Sequence, residues 1–81
     1  MGRTLQKTNQ IILNEQSAFG GFRRALRRDD QRHFDTLFAG ARKHTAAISL
    51  VGHALPLESI LLAMLVEQAK EIEALRRKLN G

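Results

Sequence analysis

Residues 56–79, PLESILLAMLVEQAKEIEALRRKL, read as one long helix around which the rest of the chain must pack. Pro56 has no N–H to lose in a first helical turn, and Glu58 lies where a carboxylate opposes the positive helix end. Arg76, Arg77 and Lys78 fall in the last turn, where the negative helix end favours cations, with Asn80-Gly81 beyond. At 1.5 Å per residue, a helix over 56–79 is about 36 Å long, more than two shorter helices can cover. Leu57, Ile60, Leu61, Met64, Leu65, Ile72, Leu75 and Leu79 form one broad apolar stripe. Leu62, Val66 and Ala69 form a second, displaced by roughly 100°. A helix lying on a two-helix partner hides one stripe, so the second predicts an association surface.

A finer signal runs along the same helix. Leu61, Leu65, Gln68, Ile72, Leu75 and Leu79 alternate steps of four and three, the spacing of a coiled-coil seam. With Leu65 and Ile72 at a positions, Gln68 falls at d, where an amide fixes register at some cost in stability. Glu71 at g and Arg76 at the following e′ have the spacing of an interchain pair in a parallel coil. The expected oligomer interface is therefore Leu61, Leu62, Leu65, Val66, Gln68, Ala69, Ile72, Leu75 and Leu79, and a homodimer is its simplest form. The competing reading is a monomer whose Glu73–Arg77 and Glu67–Lys70 contacts merely support an amphipathic helix.

Working toward the N-terminus, Phe34, Leu37, Phe38, Ala41, Thr45 and Ile48 repeat at three- and four-residue steps, which predicts a core helix over 30–48. Asp29-Asp30 supplies its N-cap. The apolar connector that follows, residues 49–55, is expected to pack on the bundle, with His53 making a polar loop contact. Ile11, Ile12, Ala18, Phe19, Phe22, Ala25 and Leu26 share one side of a helix over 8–28, which Thr8 or Asn9 would cap. Gly20-Gly21 weakens it, since each Gly costs about 1 kcal/mol relative to Ala inside a helix. Residues 1–7 read as a flexible N-terminal tail. No stretch sustains strand alternation. The expected fold is all-α: one domain over 1–81, a small bundle of three helices (8–28, 30–48 and 56–79), the last making an intermolecular helical or coiled-coil contact.

Composition narrows the function. The 81 residues include 13 Lys plus Arg against 8 Asp plus Glu, a formal charge of +5, with no Cys. There is thus no disulfide framework, thiolate metal site or cysteine nucleophile. No apolar run reaches the ~18 residues of a membrane span. Met1-Gly2-Arg3-Thr4 lacks the apolar core of a signal peptide, and Gln6 stands where a myristoylation motif needs Ser or Thr. A cytoplasmic protein is expected.

The positive excess lies within residues 1–44, and Arg23, Arg24, Arg27 and Arg28 carry much of it. On a continuous helix they form a ridge opposite Phe19, Phe22 and Leu26, extended by Arg32 if the next helix is near. Such a ridge grips phosphates, because the guanidinium fork matches their geometry. All four Phe lie on expected core faces, so no base-stacking platform accompanies it. Any nucleic-acid binding would be non-specific and phosphate-directed, and an anionic membrane surface is a weaker alternative. The plain alternative is a solvated face.

No metal, cofactor or enzymatic activity is expected. His33 and His44 stand 11 residues apart on one helix, about 16 Å, too far for one ion. Asp29 and His33 have the spacing of half a metal site, but capping explains Asp29. Ser17, Ser49 and Ser59 have no base nearby in sequence, and no Gly-rich loop follows a strand. The remaining readings are a non-enzymatic self-associating interaction module and a nucleic-acid-associated accessory protein.

Met1-Gly2-Arg3-Thr4, Phe22-Arg23-Arg24-Ala25-Leu26-Arg27, Asp30-Gln31, Phe34-Asp35, Leu37-Phe38 and Ala41-Arg42-Lys43-His44 form a pattern over most of the chain. It resembles a family of short uncharacterised prokaryotic proteins, many of them archaeal, that end in a leucine-rich helix. The resemblance implies an all-helical fold and no known activity. It also draws attention to Arg23, Asp30, Gln31, Asp35 and His44.

Overall fold

The computed structural model describes residues 2–51 and 54–81. Five helices are formed, and no strand occurs among the described residues: α1 (Gly2–Ala18), α2 (Gly20–Ala25), α3 (Arg28–Arg42), α4 (Thr45–Val51) and α5 (Pro56–Asn80). The long C-terminal helix stands where the sequence places it. The two expected N-terminal helices are each broken, and His53 lies outside the described residues.

The 8–28 helix is interrupted twice. At Phe19 (φ −95°, ψ 18°), just before Gly20-Gly21, the ladder bends without parting. The Phe19 N–H still donates to the Glu15 carbonyl at 3.2 Å, and the Arg23 N–H to the Phe19 carbonyl at 3.0 Å. Two helix-weakening glycines locate that bend. Leu26 and Arg27 are then extended (ψ 156° and 155°), so the helix ends before the last arginines. The Gln31 side-chain amide donates to the Leu26 carbonyl at 3.3 Å, satisfying one acceptor at this chain reversal. Arg27, not Asp29 or Asp30, holds the N-cap position of α3, without a side-chain cap bond. The two aspartates lie in the first turn, where they act on the helix dipole.

The 30–48 helix breaks at Lys43-His44. Bonds from the Lys43 N–H to the Gly40 carbonyl and from the His44 N–H to the Ala41 carbonyl tighten α3 into a closing turn. The Thr45 hydroxyl donates to the Arg42 carbonyl at 2.8 Å, a local bond that competes with helix continuation. At the other end, α1 begins at Gly2, within the stretch read as a tail. Thr8 is therefore interior, not a cap. Its buried hydroxyl donates to the Thr4 carbonyl at 3.0 Å and also bonds the Ser49 hydroxyl of α4.

One core joins four of the helices: Ile12 from α1, Phe34, Phe38 and Ala41 from α3, Ile48 from α4, and Ile60, Ala63 and Met64 from α5. The pairing of α3 with α5 is the most extensive. Gly40 permits it at close range, since a Cβ there would stand 3.3 Å from Glu67 Cγ. No residue of α2 is buried. Phe22, expected in the core, is 58% exposed and meets it at Phe34, the two rings tilted by 42° with centroids 6.2 Å apart. The break at Leu26 explains this, because α2 is only six residues long and turns away before it can settle on the bundle. The molecule is a slab of 42 × 32 × 18 Å with a radius of gyration of 14.2 Å.

Candidate interaction surface

α5 shows two faces of different fate. Ser59, Ile60, Ala63, Met64 and Glu67 are buried, a strip at helical spacing that meets α3 and α4. The strip overlaps the edge of the first apolar stripe on the side away from the second, so most of both stripes stays outside the core. Leu61, Leu62, Leu65, Val66, Ile72, Leu75 and Leu79 range from 47% to 86% exposed. Ala69 is exposed and Gln68 half-buried. Every residue from 69 to 81 is exposed, so the last three turns of α5 project past the body. Among the expected stripe residues only Ile60 and Met64 are core.

A second apolar surface adjoins the first. Phe19 and Phe22 flank a groove of about 320 Å³ lined only by apolar side chains, floored by Phe34 and Phe38 and edged by Leu57 and Leu61 of α5. Leu61 belongs to both surfaces, so the groove runs into the α5 seam. Sequence reading missed it by assigning Phe19 and Phe22 to the interior.

Among the described residues, polar side chains fasten α5 to the body at Glu67. The Glu67 carboxylate, 9% exposed, receives His44 Nε2 at 2.7 Å and Lys70 Nζ at 2.8 Å, with Lys43 Nζ at 3.9 Å. The bonds from Lys70 and His44 hold this carboxyl below the usual glutamate range, against the opposing effect of burial. Its position on the same helical face as Ile60 and Met64 was the readable signal for a buried carboxylate. The Glu67–Lys70 and Glu73–Arg77 pairs, named above for the competing monomer reading, both form, the latter at 2.6 Å.

The arginine ridge does not assemble as expected. Arg23 and Arg24 end α2, Arg27 is extended, and Arg28 opens α3. Arg23 binds Asp35 through both guanidinium and carboxylate forks, at 2.8 Å each. The hydrogen bond lowers the Asp35 carboxyl and raises the Arg23 guanidinium. Arg32 pairs with Asp29 at 3.4 Å on the open surface. Arg24, Arg27 and Arg28 are exposed and form no ion pair among the described residues. Neither is any group of His, Asp and Glu placed to hold a metal among those residues.

A family model described as a domain of unknown function, DUF8156, matches residues 1–81. The chain belongs to this family. The match runs through all five helices of this DUF8156 chain, so the exposed α5 face and the Phe groove lie within the family unit. No curated protein and no solved structure matches the chain. The residues that drew attention by resemblance are mostly tie points of the DUF8156 fold. Arg23 and Asp35 join α2 to α3, Gln31 closes the Leu26 turn, and His44 clips the α3–α4 turn to Glu67. Among the described residues no helix of this DUF8156 chain is long and apolar enough to cross a membrane.

Proposed function

We propose that this chain is a non-enzymatic interaction module that self-associates through α5, a homodimer in its simplest form, working in the cytoplasm. The observation that carries the reading is surface area. A compact monomer of 9.1 kDa exposes about 4,900 Å², whereas this chain exposes 6245 Å². Its radius of gyration of 14.2 Å likewise exceeds the roughly 12 Å of a compact domain of this length. Much of the surplus is leucine, isoleucine and valine on α5, the kind of contiguous apolar surface that marks an association site.

Sedimentation equilibrium at tens of micromolar tests the reading. Twice the chain mass is the expected result, and a monomer at that concentration ends the idea. Leu65→Glu with Ile72→Glu should return a real dimer to monomer, because both sites are exposed in the single chain and neither supports its core.

A second reading is favoured by Arg24, Arg27 and Arg28, which make no ion pair among the described residues. Three unpaired guanidiniums on a chain of formal charge +5 would bind phosphates without sequence preference. Dimerisation would double their number, so the two readings coexist.

A further inference from the structure

The exposed end of α5 and the open Phe groove are unpartnered apolar surfaces of one chain, at the two ends of one helical seam. The geometry points to an antiparallel, two-fold homodimer in which the last turns of α5 from one copy fill the groove of the other. This inference rests on the self-association proposed above and specifies its arrangement.

The seam itself supplies the register. Reversing a second copy of α5 about Gln68 sets Gln68 against its twin and Leu65 level with the partner's Glu71, one residue short of the partner's Ile72. The same operation sets Leu61 against the partner's Leu75, and Leu57 against the partner's Leu79. Leu57 and Leu61 edge the groove, with Phe19 and Phe22 across from them. The partner's Leu75 and Leu79, 59% and 86% exposed in the single chain, would therefore enter it. Each copy gives its helix end and receives the other's, the isologous contact of a closed two-fold pair.

Charge selects the same direction. In the antiparallel register Arg76 and Lys78 approach the partner's Glu58, which lies in the first turn of α5. The two helix dipoles also oppose each other. A parallel pair would instead set Arg76, Arg77 and Lys78 beside their own copies, with Glu71 to Arg76 as a solvent-exposed recompense. It would also leave the helix ends outside either groove.

The area is of the right size. The surplus of about 1,350 Å² per chain would make an interface of about 2,700 Å² in total, within the range of obligate homodimers. Smaller, transient contacts would leave most of the seam wet.

The chain has no cysteine, so engineered thiols report the arrangement directly. Leu61→Cys and mass-tagged Leu75→Cys chains would be mixed, equilibrated, oxidised and resolved by mass spectrometry. Leu65→Cys with Ile72→Cys is the second pair, and circular dichroism checks that each variant is folded. The expected product is the mixed disulfide, with little self-linked Leu61→Cys. In the antiparallel pair the two residues 61 stand about 21 Å apart, far beyond the ~7 Å Cα limit of a disulfide. Self-linked products from each variant, or a dimer in sedimentation with no mixed disulfide from either pair, would overturn the antiparallel arrangement and leave self-association standing. A monomer in sedimentation removes both.

Discussion

Residues 56–67 of α5 bury Ser59, Ile60, Ala63, Met64 and Glu67, whereas residues 69–80, equally helical and with Ile72, Leu75 and Leu79 at coiled-coil spacing, are exposed throughout. The difference is one of reach. At 1.5 Å per residue, α3 extends about 22 Å and α5 about 37 Å, so the partner ends before the helix does. Gly40 and the Glu67 clip mark where the close contact stops. An apolar face states a need for cover without stating where cover comes from. In one half the chain provides it, and in the other a second copy is the proposed source.

The sharpest way to separate the halves is to truncate one residue in each core-like set. Phe38→Ala removes a buried ring and should cost about 3–5 kcal/mol, a large part of the stability of a small domain. Helical signal in circular dichroism should collapse at a temperature where the parent is folded. Ile60→Ala, also fully buried, should cost about 2–5 kcal/mol. Ile72→Ala belongs to the other half. In a monomer it should change stability by no more than about 0.5 kcal/mol, but in the proposed dimer it should lower the melting temperature increasingly as the protein is diluted. Melting curves over a hundredfold concentration range distinguish these outcomes. Phe22→Gln should behave as Ile72→Ala does, folding normally while weakening association, since its ring is more than half exposed.

Acid should act on the packed half first, because that half is clipped to the body by a carboxylate and the projecting half is not. Glu67 and Asp35 both sit below their ordinary range in the folded chain. The unfolded chain therefore takes up protons first as pH falls. Their stabilisation is complete above the ordinary carboxylate range of about 4 to 5 and drains away as pH drops through the lowered folded values. The thermal midpoint should fall steeply below about pH 5. Glu67→Gln should lower the midpoint at neutral pH and flatten that acid dependence. An unchanged profile would show that the clip contributes nothing.

The smallest expected effect concerns the arginines. With Arg23 held by Asp35, about three guanidiniums per chain remain for phosphates. The slope of log K against log salt on duplex DNA should then be near −3 per chain, at about −0.9 per contact. Arg24→Gln with Arg28→Gln should flatten it by nearly two. Unaltered binding and slope would make these side chains a solvated face.

Much of this was legible in the chain itself. The helical period, the Pro56 start, the basic last turn, and the core roles of Ile12, Phe34, Phe38, Ala41, Ile48, Ile60 and Met64 follow from local sterics, dipole chemistry and spacing. These act within a few residues, so they can be read from one strand of sequence. The surplus of apolar stripes on α5 was also visible there, since counting faces needs no coordinates. Other features needed the tertiary structure. Phe22 has the spacing of a core residue, yet the two extended residues Leu26 and Arg27 swing its short helix outward. Arg23 lies in a run of arginines but is held by Asp35, twelve positions away, and His44 by Glu67, twenty-three positions away. Thr8 looks like a cap and is instead a buried joint to Ser49. Local propensity makes these segments helical, but it did not place the breaks at Leu26-Arg27 and Lys43-His44. Which face is covered, and which cation meets which carboxylate, depends on loop closure between distant segments, and a linear pattern carries no record of those distances.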